Sequence, residues 1–90
     1  MEALREELRE IIGYELSDPR VESVEVVEVQ VDPSLKKALV RITAPTGQVD
    51  GAVAALEHAR GYLKKELTQR LEMGRVPDLH FDGSADLGPQ

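Results

Sequence analysis

The sequence contains no cysteine and only two histidines, His58 and His80. The absence of cysteine excludes disulfide frameworks, thiolate metal sites and cysteine nucleophiles. Neither histidine has a partner histidine or carboxylate at a recognised metal-ligand spacing. We therefore predict that the protein holds no metal and uses no cofactor.

Catalytic signatures are also missing. The chain has no Gly-x-Gly-x-x-Gly, no phosphate-binding Gly-Lys-Ser/Thr loop, no Gly-x-Ser-x-Gly elbow and no His-Glu-x-x-His. Carboxylates are plentiful, but paired acid and base catalysis needs one of them in a pocket with a raised pKa, and no residue is marked in this way. We predict that the protein is not an enzyme.

Aromatic residues are scarce, since only Tyr14, Tyr62 and Phe81 are present. Sheets of the RNA-recognition-motif type bind by stacking bases on exposed rings, which three scattered aromatics cannot supply. The core must therefore be aliphatic, and base stacking is excluded as the main mode of binding.

Long apolar runs are absent as well. No stretch of 18 apolar residues occurs, and the first residues lack the basic and apolar regions of a secretion signal. We expect a cytoplasmic protein without a membrane partner. Ninety residues suffice for one domain and not for two. We predict a single monomeric domain over residues 1–82 and a disordered tail over residues 83–90.

Charge is distributed unevenly along the chain. The net charge is −6, which by itself argues against binding nucleic acid. Residues 1–35 carry three bases against ten acids, whereas residues 36–75 carry eight bases against four acids. This segregation allows one cationic face on an acidic protein. The alternative is that the bases only face solvent.

The first half of the chain predicts a helix and a hairpin. Leucine and isoleucine recur at helical spacing along residues 2–16, and Pro19 prevents the helix from continuing. Residues 21–31 are rich in valine, and the apolar phase changes at their centre, which indicates a bulge or burial on both faces. Alternation along residues 38–44 predicts a second strand that pairs back on the first.

The second half predicts a long helical stripe over residues 52–71, with Asp50 as its N-cap. Gly61 lies in the middle of the stripe, where it either is tolerated or marks a break. Residues 79–81 predict a third strand. A strand that follows a helical crossover lies parallel to the one it left, so we expect an α+β fold with a mixed three-stranded sheet and helices on one face.

The cations that we predict to bind a ligand lie near that break. Arg60, Lys64 and Lys65 fall within about a turn and a half of helix, since a turn takes 3.6 residues. Free amides at a helix break can also bind phosphate oxygens. This combination predicts contact with the RNA backbone, which positions a protein but reads little sequence. The predicted RNA-binding residues are Arg60, Gly61, Lys64, Lys65, Arg70 and Arg75.

The order of elements resembles a type II KH domain, but the Gly-x-x-Gly loop of that fold is missing. Ala59-Arg60-Gly61 instead resembles the Ala-x-Gly kink between the helices of the ribosome-binding factor A family, with Ala59 and Gly61 as its kink residues. Residues 16–20 resemble the Asp-Pro-Arg turn of the family, residues 29–40 its first hairpin and residues 75–81 its last strand. The ordered set covers residues 4–82.

This resemblance implies a bacterial cytoplasmic factor that binds the free small ribosomal subunit. Such a factor assists late maturation of the 30S subunit and processing of 16S rRNA by binding, without a metal or nucleotide. Its partners would be 16S rRNA and neighbouring ribosomal proteins. A second hypothesis is a KH-like protein-binding module whose acidic first helix recruits a basic partner.

Overall fold

A computed structural model of the protein describes residues 2–72 and 74–86. Within these residues the chain forms three α-helices and three strands in the predicted order. The sheet order is β1-β2-β3, with β1 and β2 antiparallel and β2 and β3 parallel. The predicted α+β fold with a mixed sheet is confirmed and is consistent with a KH-like domain. The elements are α1 (Glu2–Tyr14), a 3-10 turn (Pro19–Val21), β1 (Glu25–Val31), β2 (Lys37–Pro45), α2 (Val49–His58), α3 (Arg60–Leu71) and β3 (Asp78–Asp86).

The helices cover one face of the sheet. Side chains of β2 alternate between faces, so that Val40 is buried while Lys37 and Arg41 are exposed. Burying one leucine or isoleucine stabilises the fold by about 1.5–3 kcal/mol, so aliphatic packing attaches all three helices. The helix residues with no exposed surface are Leu4, Leu8, Ile11, Ala52, Leu56, Leu63 and Leu67.

The segment after α1 differs from the prediction. The helix ends at Tyr14, and a 3-10 turn follows at Pro19–Val21. Asp18 caps this turn by accepting a hydrogen bond from the backbone N–H of Arg20 at 2.9 Å and another from its guanidinium at 2.7 Å. The hydrogen bond from the Arg20 side chain lowers the pKa of Asp18 to about 2. Val21 is buried in this turn, and β1 begins four residues later, at Glu25.

A bulge interrupts the pairing of β1 with β2. The register shifts between Val26 and Glu28, and the extra residue, Val27, is 51% exposed. Val26 and Val29, on either side of the shift, are both buried. The bulge therefore explains the change of apolar phase in the sequence.

The last strand is longer than predicted. β3 runs to Asp86, and residues 83–86 pair with residues 42–45 of β2. Residues 83–86, predicted as the start of a disordered tail, instead extend the sheet, because parallel pairing satisfies their backbone groups. A Cβ at Gly83 would lie 2.8 Å from both Val49 and Val53, so only glycine permits this approach to α2. Residues 87–90 lie outside the described residues.

The break between α2 and α3 lies at Ala59. This residue has φ −87° and ψ 4°, and its N–H donates to the carbonyl of Ala55. Gly61 is the second residue of α3, where the helix continues without interruption. Of the two predicted kink residues, Ala59 therefore lies at the break itself. A bend at Gly61 is wrong, because the non-helical ψ of Ala59 already separates the two helices.

The predicted N-cap of α2 is also wrong. The helix begins at Val49 with Gln48 at the N-cap position, and no side chain caps it. Asp50 lies inside the first turn, where its negative charge interacts favourably with the partial positive charge of the exposed amides.

Candidate nucleic-acid interface

The predicted RNA-binding residues lie mainly along α3. Leu63 and Leu67 of this helix are fully buried and fix its rotation against the core. The cationic residues at other positions of the helix are exposed or half-buried. The structure therefore places four of the five predicted cations on α3 and Arg75 beyond its end, and their partners differ.

Arg70 is enclosed by carboxylates. It forms an ion pair with Glu15, and its guanidinium also lies 3.3 Å from Glu7, 3.6 Å from Glu10 and 3.6 Å from Glu66. Its side chain is only 25% exposed. A cation whose charge is exceeded by its own neighbours attracts phosphate weakly, so this geometry favours a role in holding α1 against α3.

Arg60 also has an intramolecular partner. Its guanidinium pairs with Glu57, one turn earlier on α2. Its Nε atom is buried and has no hydrogen-bond partner among the described residues. Arg60 therefore spans the break at Ala59 as an ionic link.

Lys64 contacts the first residue of β3. Its Nζ donates to a carboxylate oxygen of Asp78 at 2.6 Å. This hydrogen bond holds the pKa of Asp78 below its ordinary value, with smaller contributions from the charges of Lys64, Arg75 and His80. Both side chains are exposed, so the pair is a weak one in water.

Lys65 and Arg75 are exposed. Within residues 2–72 and 74–86, neither side chain forms an ion pair. Gly61 is exposed in the first turn of α3, and the space where its Cβ would lie is open. Of the predicted set, Lys65 and Arg75 are thus the cations that form no ion pair with a described carboxylate.

The structure adds two lysines that the sequence argument left out. Lys37 of β2 is the register partner of Asp78, and the carbonyl of Lys36 accepts a hydrogen bond from the Asp78 N–H at 2.9 Å. Both lysines are exposed and lie at the end of the sheet that Lys64 reaches. The parallel crossover could have revealed them, since it places the first residues of β2 and β3 side by side.

Two other kinds of functional site are a metal centre and a membrane-spanning helix. Among the described residues, no three acidic or histidine side chains are placed to hold a metal ion. Over the same residues, every helix is too short or too polar to cross a membrane. The exposed lysine and arginine side chains of this surface can supply charge and hydrogen-bond donors to a polyanion.

Comparison with known proteins agrees with the fold and these motifs. The sequence model of the family described as Ribosome-binding factor A matches residues 1–87. The protein of that name from Solibacter usitatus is 49% identical over 83 residues, covering 90% of this chain and 68% of that protein.

Two solved structures are similar. The crystal structure of ribosome-binding factor A from Thermus thermophilus has a TM-score of 0.85 at 30% identity, covering 91% of this chain and 88% of that one. Coordinates of the Thermus thermophilus factor fitted into a cryo-EM map of its 30S complex give 0.78 at 30% identity, with the same coverage. The chain belongs to the ribosome-binding factor A family.

Proposed function

We propose that this protein is a cytoplasmic ribosome-assembly factor that binds the free small ribosomal subunit. Bound there, it assists late maturation of the 30S subunit and processing of 16S rRNA. The observation that carries the proposal is the match in fold to the Thermus thermophilus protein, whose coordinates were fitted into a map of a 30S complex. The chain acts as a monomer, by binding and without breaking bonds.

The mechanism follows from where charge is available. Lys64, Lys65 and Arg75 contact phosphates of the rRNA, and Gly61 allows close approach at the start of α3. Arg60 and Arg70 act indirectly, because their pairs with carboxylates fix the helices that carry the contacts. The rigid domain then holds immature rRNA in one conformation.

Co-sedimentation tests the partner. The protein is expected to travel with purified small subunits and not with large subunits, and to dissociate as salt rises, because each phosphate contact releases a counterion. Equal binding to both subunits, or no binding, would contradict the proposal.

A test in cells addresses the role in maturation. Cells that lack the gene are expected to accumulate free small subunits containing unprocessed 16S rRNA. Reintroduction of the gene should restore processing. Normal processing in the deletion strain would limit the protein to binding alone.

One observation favours a second function. Glu2, Glu6 and Glu10 of α1 are between 59% and 74% exposed and form a surface away from the core on which acids outnumber bases. Arg5 and Arg9 of the same helix pair with Glu2 and Glu6. Such a surface suits a basic protein partner. Binding to small-subunit proteins that survives complete nuclease digestion of the rRNA would support this function over the first.

A further inference from the structure

Four cations meet at one end of the sheet: Lys36, Lys37, Lys64 and Arg75, which we call the basic end. Lys36 and Lys37 lead into β2, Lys64 reaches from α3, and Arg75 lies three residues before β3. They come from three separate parts of the chain. Only the folded structure assembles them.

Backbone geometry fixes this assembly. The Asp78 N–H donates to the Lys36 carbonyl at 2.9 Å, and Asp78 is the register partner of Lys37. Neighbouring strands lie about 4.8 Å apart, so the first residues of β2 and β3 are adjacent. The ion pair from Lys64 to Asp78 at 2.6 Å then brings α3 to the same place.

Two carboxylates face these cations. Asp78 pairs with Lys64, and Asp32 lies in the hairpin, close enough for Lys37 to act on it. Asp32 already accepts a hydrogen bond from the Ser34 hydroxyl at 2.6 Å. The basic end thus keeps a positive excess, which is the reverse of the balance around Arg70.

We propose that the basic end is the surface that receives the rRNA phosphate backbone, and that Asp78 is an internal counter-anion that phosphate displaces from Lys64. This inference rests on the proposed function and names its contact surface. In the free protein, Asp78 holds Lys64 in place at the sheet end. On the ribosomal subunit, a phosphate oxygen takes the position of the Asp78 carboxylate at Nζ of Lys64.

RNA is the occupant that fits this chemistry. The basic end offers positive charge without exposed aromatic rings, which suits phosphates and gives little sequence reading. The side chain of Lys64 is 43% exposed and that of Asp78 is 60% exposed, so a phosphate can compete for the ammonium group. Because of that competition, the affinity is lower than the cations alone would give.

The test measures the affinity of purified small subunits for three variants across a range of salt concentrations. Lys36→Gln/Lys37→Gln is expected to weaken binding at least about 10-fold and to lower the salt slope by about 1.5, since each phosphate contact contributes about 0.7–0.9. Asp78→Asn is expected to tighten binding about 3-fold or more and to steepen the slope by almost one unit.

Arg5→Gln/Arg9→Gln is the matched control, because it removes the same charge from α1, and its binding is expected to change less than about 2-fold. Thermal unfolding verifies that each variant is folded. If the wild-type protein does not bind the subunits, the proposed function fails and this inference fails with it. If it binds but the lysine pair behaves like the control, only the basic end is overturned; unchanged or weaker binding by Asp78→Asn overturns the role of Asp78.

Discussion

Two regions of α3 use positive charge in opposite ways. Near its end, Arg70 is surrounded by Glu7, Glu10, Glu15 and Glu66. Near its start, Lys64 has one carboxylate partner and lies beside further cations. In the sequence, Arg70 and Lys64 are equivalent, since both are basic residues of one helix. The carboxylates around Arg70 give it a structural role in holding α1 against α3. The side chain of Lys64 stays accessible to a ligand.

The difference has a simple physical origin. Arg70 faces the acidic helix α1, and its planar guanidinium can serve several carboxylates at once. Lys64 instead faces a sheet end where the chain supplies more bases than acids. The same net charge of −6 is therefore compatible with one cationic surface.

One of the two largest expected effects comes from removing Arg70, which links α1 to α3. Arg70→Gln leaves half-buried carboxylates without a cation and is expected to lower the free energy of unfolding by about 2 kcal/mol, as measured by urea denaturation. Arg9→Gln is the control, since its single contact with Glu6 is 3.6 Å long and exposed. Similar losses of unfolding free energy for both variants would show that Arg70 does not hold α1 against α3.

A smaller effect of opposite sign is expected at the start of α3. Gly61→Ala should raise the free energy of unfolding by about 0.8 kcal/mol, because alanine favours helix and nothing lies within 4 Å of the new Cβ. Binding to small subunits should weaken, because the new Cβ occupies the open surface at which Gly61 allows the rRNA to approach α3. A loss of stability would contradict the helical backbone and the open space at Gly61.

Gly83→Ala is the contrasting variant. Here the new Cβ would meet Val49 and Val53 at 2.8 Å, and we expect destabilisation of about 1–3 kcal/mol. The two glycines thus separate a position that needs close approach from one that does not.

The hairpin beside the basic end stores some strain. Leu35 has φ 62° and is 60% exposed, a conformation that suits glycine better than leucine. Leu35→Gly is expected to raise the free energy of unfolding by about 0.5 kcal/mol, as measured by thermal denaturation. Gly47→Ala, at φ 86°, should act in the opposite direction. Destabilisation by Leu35→Gly would mean that the leucine makes contacts that outweigh the strain.

The smallest expected effect is the loss at low pH of the stability that the Lys64–Asp78 pair contributes. Because Lys64 holds the pKa of Asp78 below its ordinary 3.8 in the folded protein, the pair stabilises the fold above that pH. Its contribution is lost as the pH falls through the lowered value. The difference in unfolding free energy between wild type and Asp78→Asn should therefore be measurable near neutral pH and shrink below pH 3.8. A constant difference would indicate that the two residues do not interact in solution.

Local patterns in the sequence predicted most of the fold. Helical spacing predicted α1 and one long stripe over residues 52–71, which the structure divides into α2 and α3. Alternation along residues 38–44 predicted the central strand, because both patterns depend on near neighbours. The change of phase at Val26 indicated the bulge. The extension of β3 past Gly83 was missed, since it depends on α2 lying against that glycine.

The candidate site was less accessible to sequence reasoning. Four of the five predicted cations are on α3, but one of them, Arg70, pairs with Glu15, which lies 55 positions away in the chain. The adjacency of Lys37 and Asp78 depends on the strand register. Spacing within a helix carries no information about such distant partners.

The position of β3 in the chain also affects how the protein is made. The central strand β2 gains its second neighbour only when residues 78–86 pair with it. Contacts between segments so far apart in sequence form late and slow the folding of small domains. During synthesis the core therefore remains open along β2 and under α2 until residue 86 has left the exit tunnel. The sheet is completed only once β3 has emerged from a ribosome, the particle whose small subunit forms the complex with the Thermus thermophilus relative.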